Sequence, residues 1–301
     1  MIFWHIDGPP NASRRWLRAT SLDPNGTTAS GGFSSDPVLW AEAALGFAPD
    51  PVQAKILRSS APRLMLCCTR QFGKSTITAV KALHYAMAHP GSLVLAAAPT
   101  ARQSGEWLNK TREFLARLGV RGRSDGNNRL SCVLPNGSRL VGLPGVAQNV
   151  RGFSKAALVI IDEAAFVPEA LYQALNPMLA VSAGSLWLIS TPAAQTGFFY
   201  DEWSREQCSR VEAPPAQTLG SNSEPPVPVA WDRYQVTAIQ CPRIPPEFLA
   251  EQRVLLGDEV YRREYDCEFV AGGDQLIGRD LLDEALDADL APFNGGKALW
   301  H

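Results

Sequence analysis

Cys68-Thr-Arg-Gln-Phe-Gly-Lys-Ser75 is the segment richest in potential chemistry. It follows the phosphate-loop pattern G-x-x-x-x-G-K-[ST], with Cys68 in place of the first glycine. Gly73 lets the backbone turn its N–H groups toward phosphate oxygens. Lys74 is placed to reach the β- and γ-phosphates, and the Ser75 hydroxyl to ligate Mg²⁺. A helix beginning near Ser75 would add the positive end of its dipole. The second signal is Ala157-Leu-Val-Ile-Ile-Asp-Glu163, an apolar run closing on two adjacent acids. After a phosphate loop, such a pair gives Asp162 to Mg²⁺ and leaves Glu163 to polarise the attacking water. The alternative is an N-cap pair opening the next helix. The third is Ser190-Thr191-Pro192, small hydroxyls at the end of another apolar run. Beside a γ-phosphate they could sense hydrolysis, although Ser-Thr-Pro is also an ordinary turn.

These residues need a scaffold that brings three strand ends together, and the flanking pattern predicts one. Arg63–Cys68 is a short apolar run, Thr69–Lys74 a loop, and Ser75–Ala88 a helix ended by His89-Pro90-Gly91. Ser92–Pro99 reads as a buried strand and Gln103–Leu118 as an amphipathic helix. Leu130–Leu134 and Ser138–Val141 flank Pro135-Asn136-Gly137, a hairpin signal. Ala157–Ile161 and Ser185–Ile189 are two further buried-type strands with a helical segment between them. Continuous apolar strands alternating with helices predict an α/β fold with a mostly parallel sheet. Upstream, Asp36-Pro37 is a cap and first helical residue for a short helix that Gly46 ends. Residues 1–35 read as a flexible extension, with a small-residue stretch from Gly26 to Ser35. Downstream, Ala213–Val229 reads as a loop and Pro245–Tyr265 as a helix. The tail holds Asp274, Asp280, Asp283, Glu284, Asp287 and Asp289 against Arg279 and Lys297.

Composition is compatible with this scaffold. The 301 residues are 46% hydrophobic and 19% charged, enough to bury a core and unlike a disordered chain. A net charge of −2 excludes a polycation. No apolar run approaches the roughly 18–20 residues of a membrane span, and Met1–Trp16 lacks the apolar stretch of a secretory signal. Cys67, Cys68, Cys132, Cys208, Cys241 and Cys267 form no C-x-x-C pair, which fits a reducing cytosol rather than a disulfide framework. From Arg102 to Arg151 there are nine Lys or Arg against three acids, either a track for a phosphate backbone or a soluble helix face. His84 and His89 lie on or just past a helix and are assigned no catalytic role.

Thr69–Ser75, Val159-Ile-Ile-Asp-Glu-Ala164 and Leu188-Ile-Ser-Thr-Pro192 together resemble the ATPase motifs of the large terminase subunit of tailed bacteriophages. Asp50-Pro-Val-Gln53 is similar to that family's upstream glutamine motif, and Arg151-Gly-Phe-Ser154 to its Arg-Gly step. Gly197-Phe-Phe-Tyr200 and Arg263–Phe269 are also family-like, so the resemblance covers about Asp36 to Val270. It implies a three-layer P-loop NTPase of the ASCE/RecA-like type, hydrolysing ATP with Mg²⁺ to drive double-stranded DNA into a capsid. Gln53 would face the adenine. Cys68, Thr69, Arg70, Gln71, Phe72, Gly73 and Lys74 would wrap the phosphates, with Ser75 and Thr76 opening the helix. Ser75 and Asp162 would hold the metal, Glu163 would be the base, and Ser190 and Thr191 would couple hydrolysis to movement. Arg70 would contact the γ-phosphate in cis or form a salt bridge that shapes the loop. Arg151 would serve in trans across a ring interface or be structural. The implied partners are DNA, a portal protein, a small terminase subunit and further copies of the chain in a pentameric ring, in the cytoplasm of a bacterial host.

Residues 36–270 then form the motor, and 271–301 an acidic linker too short for the RNase H-like nuclease half that the resemblance also implies. Two other readings stay open: another DNA-dependent ATPase such as a superfamily 2 helicase, and a prophage remnant that binds partners without turnover. Two-metal nuclease chemistry needs carboxylates held on a rigid scaffold. The purified chain is therefore expected to leave supercoiled plasmid uncut in Mg²⁺ or Mn²⁺. Cleavage that disappears on replacing Asp280 and Asp283 would show a metal site in the tail instead.

Overall fold

The computed structural model describes residues 33–126, 130–146, 150, 152–205 and 230–270. Arg151, the 213–229 segment, the acidic tail and nearly all of the N-terminal extension lie outside them. Seven strands form one sheet in the order β3-β4-β2-β5-β6-β1-β7. They are β1 Arg63–Cys68, β2 Leu93–Ala97, β3 Ser131–Val133, β4 Arg139–Leu143, β5 Leu158–Asp162, β6 Ser185–Ser190 and β7 Asp232–Val236. All neighbours are parallel except β3 and β4, the hairpin turned by Pro135-Asn136-Gly137.

The apolar runs form central strands because helices cover both faces, so consecutive residues are buried on opposite sides. Leu64, Leu66, Ile160, Trp187 and Ile189 enter one core. There they meet α1 Pro37–Trp40 with its wider turn Ala41–Leu45, α2 Pro51–Arg58, α3 Lys74–Ala88 and α4 Ala101–Arg117. Met65, Leu95, Val159, Ile161, Leu186 and Leu188 enter the other, against α5 Glu169–Leu175 and α6 Phe198–Ser204. The result is a three-layer α/β domain. The period-2 alternation along β1, β5 and β6 assigns each residue its layer. Asp36 caps α1, accepting from the Val38 amide at 2.8 Å, and pairs with Arg58 of α2 at 2.9 Å.

Three features depart from the sequence expectation. Phe33, placed in the flexible extension, stacks on His84 with centroids 4.9 Å apart, and the Ser34 carbonyl meets His84 Nε2 at 3.0 Å. The partly buried Phe33 ring, packed against the core, fixes the chain there. The single helix expected over Pro245–Tyr265 is two, α7 Pro246–Leu256 and α8 Asp258–Glu264. Gly257 breaks it with φ 75° and ψ 164°, outside any helical geometry. Strand β7 was not anticipated. It pairs with β1 from Leu64↔Asp232 to Cys68↔Val236 and extends the sheet beyond the phosphate loop.

The alignment of β6 with β5 depends on a close approach at Gly184. A Cβ there would fall inside contact distance of the Ala156 carbonyl oxygen and within 3.0 Å of the Ala157 carbonyl oxygen. The neighbouring Ser185 amide donates to that same Ala157 oxygen at 3.0 Å. Backbone atoms cannot move aside as a flexible side chain can. Gly184→Ala is therefore expected to destabilise the domain by at least about 1–3 kcal/mol, read as a lower denaturant midpoint. An unchanged midpoint would show that this turn has slack.

Candidate functional site

The sheet order sets the site. Strand β6 lies between β1 and β5, so three strand ends open onto one edge. The registers Cys67↔Ser190 and Asp162↔Ile189 put the phosphate loop, Ser190-Thr191 and the acidic pair side by side. A cleft of about 710 Å³ opens there, within the usual range for a small-molecule site. Arg70, Gln71, Phe72, Gly73, Lys74, Ser75, Thr76, Glu163 and Thr191 line it. So do Pro99, Thr100, Gln103 and Phe166, which the sequence reading did not single out. The signal was present for two of them. Thr100 and Gln103 form a capping box at the start of α4, a pattern that can be read from sequence.

The loop presents unpaired donors. Thr69 N–H is bonded to the Val236 carbonyl, and Thr76 N–H to the Gly73 carbonyl. Among the described residues, the Gly73, Lys74 and Ser75 amides between them donate to no protein acceptor. A helix N-terminus with free amides attracts anions, and α3 starts there. Gly73 has φ 93°, and a Cβ on it would meet Gln53 Nε2 at 3.0 Å, so the turn needs glycine on two counts.

Lys74 Nζ lies 3.2 Å from Glu163 Oε1, joining the loop to the end of β5. Burial works against the Lys74 charge. The neighbouring Cys68, then the Glu163 and Asp162 carboxylates, together outweigh it and hold the ammonium above its ordinary value. Glu163 sits in the left-handed region with φ 52°, and its amide donates to Asp162 Oδ1 at 3.1 Å. Such a conformation carries strain of order 1–3 kcal/mol and recurs at functional sites. Burial, and next the Glu163 charge, push Asp162 up to about 6. Lys74, the Glu163 amide and a hydrogen bond from the Ser75 hydroxyl pull the other way without cancelling that rise. Ser75 and Asp162 thus place two hard oxygen donors together, one of them a carboxylate short of positive charge. That fits Mg²⁺, which takes one or two protein oxygens and completes its shell with phosphate and water.

Four expected contacts take a different form. Gln53 is buried at 2% exposure and is not on the cleft wall. Its Nε2 donates to the Phe72 carbonyl at 2.8 Å and its Oε1 accepts from the Asp50 amide at 3.2 Å, so its amide is occupied beneath the loop rather than facing a base. The Cys68 side chain is wholly buried in the core on the α3 side, where burial pushes its thiol far up. Thr69 is buried too, its hydroxyl donating to the Glu264 carbonyl at 3.0 Å. Ser190 is buried, with Oγ accepting from the Ala165 amide at 3.2 Å. Arg70 lines the cleft but its Nε is bonded to Glu264 of α8, the salt-bridge alternative. Arg151 lies outside the described residues. Sequence reasoning missed Glu264 and Arg243, both of which grip the loop from the last third of the chain. No local pattern links those positions to the phosphate loop.

Residues 65–283 match the family described as "Terminase large subunit, T4likevirus-type, N-terminal". The terminase large subunit of Thermus virus P23-45 is 28% identical over 262 residues, 79% of this chain and 52% of that protein. The chain thus spans about half the length of the curated relatives it matches. The solved large terminase ATPase domain of Thermus Phage P74-26 is 27% identical at a TM-score of 0.63, covering 77% of this chain and 98% of that one. A large terminase from a thermophilic bacteriophage, solved with ADP, shares the fold at 15% identity and a TM-score of 0.57, covering 73% of this chain and 53% of that one. These findings do not favour the helicase or prophage-remnant readings, and the chain belongs to the large-subunit family of phage terminases, in its N-terminal part.

Proposed function

We propose that this chain is the ATP-hydrolysing motor of a phage terminase large subunit, driving double-stranded DNA into the capsid. The observation that carries the reading is the Lys74–Glu163 pair at 3.2 Å across a cleft bordered by unpaired loop amides. Relatives named as ATPase domains support it, as does a neighbour of the same fold that holds ADP.

The phosphates would accept from the Gly73, Lys74 and Ser75 amides. Ser75 and Asp162 would hold Mg²⁺, directly or through water, and the bound ion would neutralise phosphate charge. A γ-phosphate competes with Glu163 for the Lys74 ammonium. As Lys74 turns to the phosphate, the Glu163 carboxylate is released to accept a proton from the attacking water. The Ser190–Ala165 hydrogen bond ties the end of β6 to the turn carrying Glu163. Thr191 beside it lines the cleft, so loss of the γ-phosphate would be felt at the same strand end. Arg70 would reach the γ-phosphate in cis on leaving Glu264, and Arg151 would act in trans from a neighbouring copy.

The assembled motor would be a pentameric ring of this chain with a portal protein and a small terminase subunit, in the bacterial cytoplasm. Among the described residues no helix is long and apolar enough to cross a membrane. Residues 36–270 would be the motor unit.

Lys74→Ala is expected to weaken ATP–Mg²⁺ binding by about 10–100-fold, since hydrogen bonds to charged groups contribute roughly 1.5–3 kcal/mol. Equal affinity in wild type and variant by calorimetry would sink the site assignment. Glu163→Gln keeps the size and hydrogen bonding but removes the base. It should bind ATP while turnover falls by about 10²–10⁴-fold. Turnover in phosphate-release assays at the wild-type rate would move the base to another residue.

A further inference from the structure

We propose that Arg243 is a positioning residue for phosphate recognition: with Gln53 it turns the Phe72–Gly73 peptide so that the Gly73 N–H faces the cleft. The inference rests on reading the cleft as the ATP site and goes beyond it, since Arg243 is far from the phosphate loop in sequence and belongs to none of its motifs.

The Phe72 carbonyl oxygen accepts two hydrogen bonds, from Gln53 Nε2 at 2.8 Å and from Arg243 Nη2 at 2.7 Å. A carbonyl oxygen has two lone pairs, so this one is saturated. The described residues contain no cis peptide bond. In a planar trans peptide the C=O and the following N–H point in opposite directions. Fixing the Phe72 oxygen therefore fixes the direction of the Gly73 hydrogen. Phe72 and Gly73 line the cleft, whereas Gln53 and Arg243 do not. With both donors off the cleft wall, the oxygen is drawn to their side, which leaves the Gly73 N–H, without a protein acceptor among the described residues, to face the cleft.

The two donors are themselves fixed by one carboxylate. Arg243 Nη1 donates to Asp50 Oδ2 at 2.9 Å, and the Gln53 amide N–H donates to Asp50 Oδ1 at 2.8 Å. The Asp50 amide returns a bond to Gln53 Oε1 at 3.2 Å. Asp50 is the N-cap of α2, so the clamp is anchored on a helix end rather than on a free loop. A second tie comes from the same segment as Arg243, where Cys241 Sγ donates to the Gln71 carbonyl at 3.9 Å. The guanidinium charge also matters. A charged donor on a carbonyl withdraws electron density across the peptide and makes the opposite N–H a stronger donor. A neutral amide such as Gln53 does this less.

The test uses the whole chain, with ADP–Mg²⁺ and ATP-γ-S–Mg²⁺ as probes. Arg243→Gln removes the charged donor; Arg243→Lys keeps the charge but cannot bond Asp50 and Phe72 in the same fork geometry. Arg243→Gln is expected to weaken ADP by about tenfold, the equivalent of one hydrogen bond. KM for ATP should rise in step while kcat stays within about twofold, because Lys74 and Glu163 are untouched. Arg243→Lys should recover part of the loss. The decisive readout is the Gly73 amide resonance, which should move downfield when ADP is added to the wild type and move less in Arg243→Gln. A merely structural brace would lower the melting midpoint without changing that resonance. Should Arg243→Gln fail to fold, Arg243→Lys carries the same measurement. Wild-type ADP affinity and an unchanged Gly73 shift in these variants, with binding still lost in Lys74→Ala, would overturn the positioning role and leave the cleft reading standing. Unchanged binding in Lys74→Ala as well would instead remove the cleft reading itself.

Discussion

A buried ammonium is the constraint around which this domain is arranged. The Lys74 side chain is only 11% exposed, and removing such a charge from water costs several kcal/mol unless opposite charge comes with it. The compensation comes from Asp162 and Glu163 at the end of a strand two places away in the sheet. Lysine and acids are compatible only if β1, β6 and β5 align with their C-terminal ends level. The observed registers achieve this, with Cys67↔Ser190 and Asp162↔Ile189 on either side of β6. The close approach at Gly184 holds β6 at that level. The same arrangement leaves the Asp162 carboxyl raised by burial and by Glu163, so the divalent cation proposed at Ser75 and Asp162 would bring the positive charge that this pair of acids lacks.

The loop around that ammonium is supported from beneath by parts of the chain far from it in sequence. Gln53 from α2 and Arg243 from the segment after β7 grip the Phe72 carbonyl. Thr69 is bonded to the Glu264 carbonyl, and its amide to Val236. Phe72 itself is 1% exposed, so its ring is an apolar peg that keeps the loop seated. Backbone donors aimed at a ligand are useful only if they do not reorient when it arrives. Here the Phe72 carbonyl is saturated by protein donors, and among the described residues the Gly73, Lys74 and Ser75 amides meet no protein acceptor.

What could be read from the sequence was what is written locally. Arg63–Cys68, Leu93–Ala97, Leu158–Asp162 and Ser185–Ser190 were legible as strands because burial on both faces demands continuous apolar runs. The hairpin was legible from Pro135-Asn136-Gly137, and part of the cleft lining from Gly73, Lys74, Ser75 and Glu163. Strand β7 was not. Asp232-Arg-Tyr-Gln-Val236 is an edge strand, mostly half-exposed and polar, and is fixed by its pairing with β1 rather than by its own pattern. Gln53 was legible as a site residue but not as one that acts through Phe72, because the direction of an amide depends on its partners. Arg243 was invisible, and Glu264, although inside the family-like Arg263–Phe269 stretch, gave no sign of its role, since the significance of both lies in contacts nearly two hundred positions away.

These distant contacts share a direction that bears on how a motor could use its fuel. Thr69 and Arg70 are held by Glu264 at the end of α8, and Gln71 and Phe72 by Cys241 and Arg243 before α7. Four consecutive loop residues are thus tied to two positions that bracket one helical pair. Cys267, just beyond that pair, donates from Sγ to the Val236 carbonyl at 3.1 Å, so the chain leaving α8 is pinned to the strand beside the loop. A phosphate that pulls on the loop amides therefore meets resistance from the segments flanking α7 and α8 as well as from Gln53 of α2 and Val236 of β7. The Arg70–Glu264 contact is the most exposed of these ties on the loop side, with the arginine side chain 65% exposed. The bonds to the Glu264 carbonyl from Thr69 and to the Phe72 carbonyl from Gln53 are buried and costlier to break. The Arg70–Glu264 ion pair is accordingly the tie on the loop most open to competition from solvent or ligand.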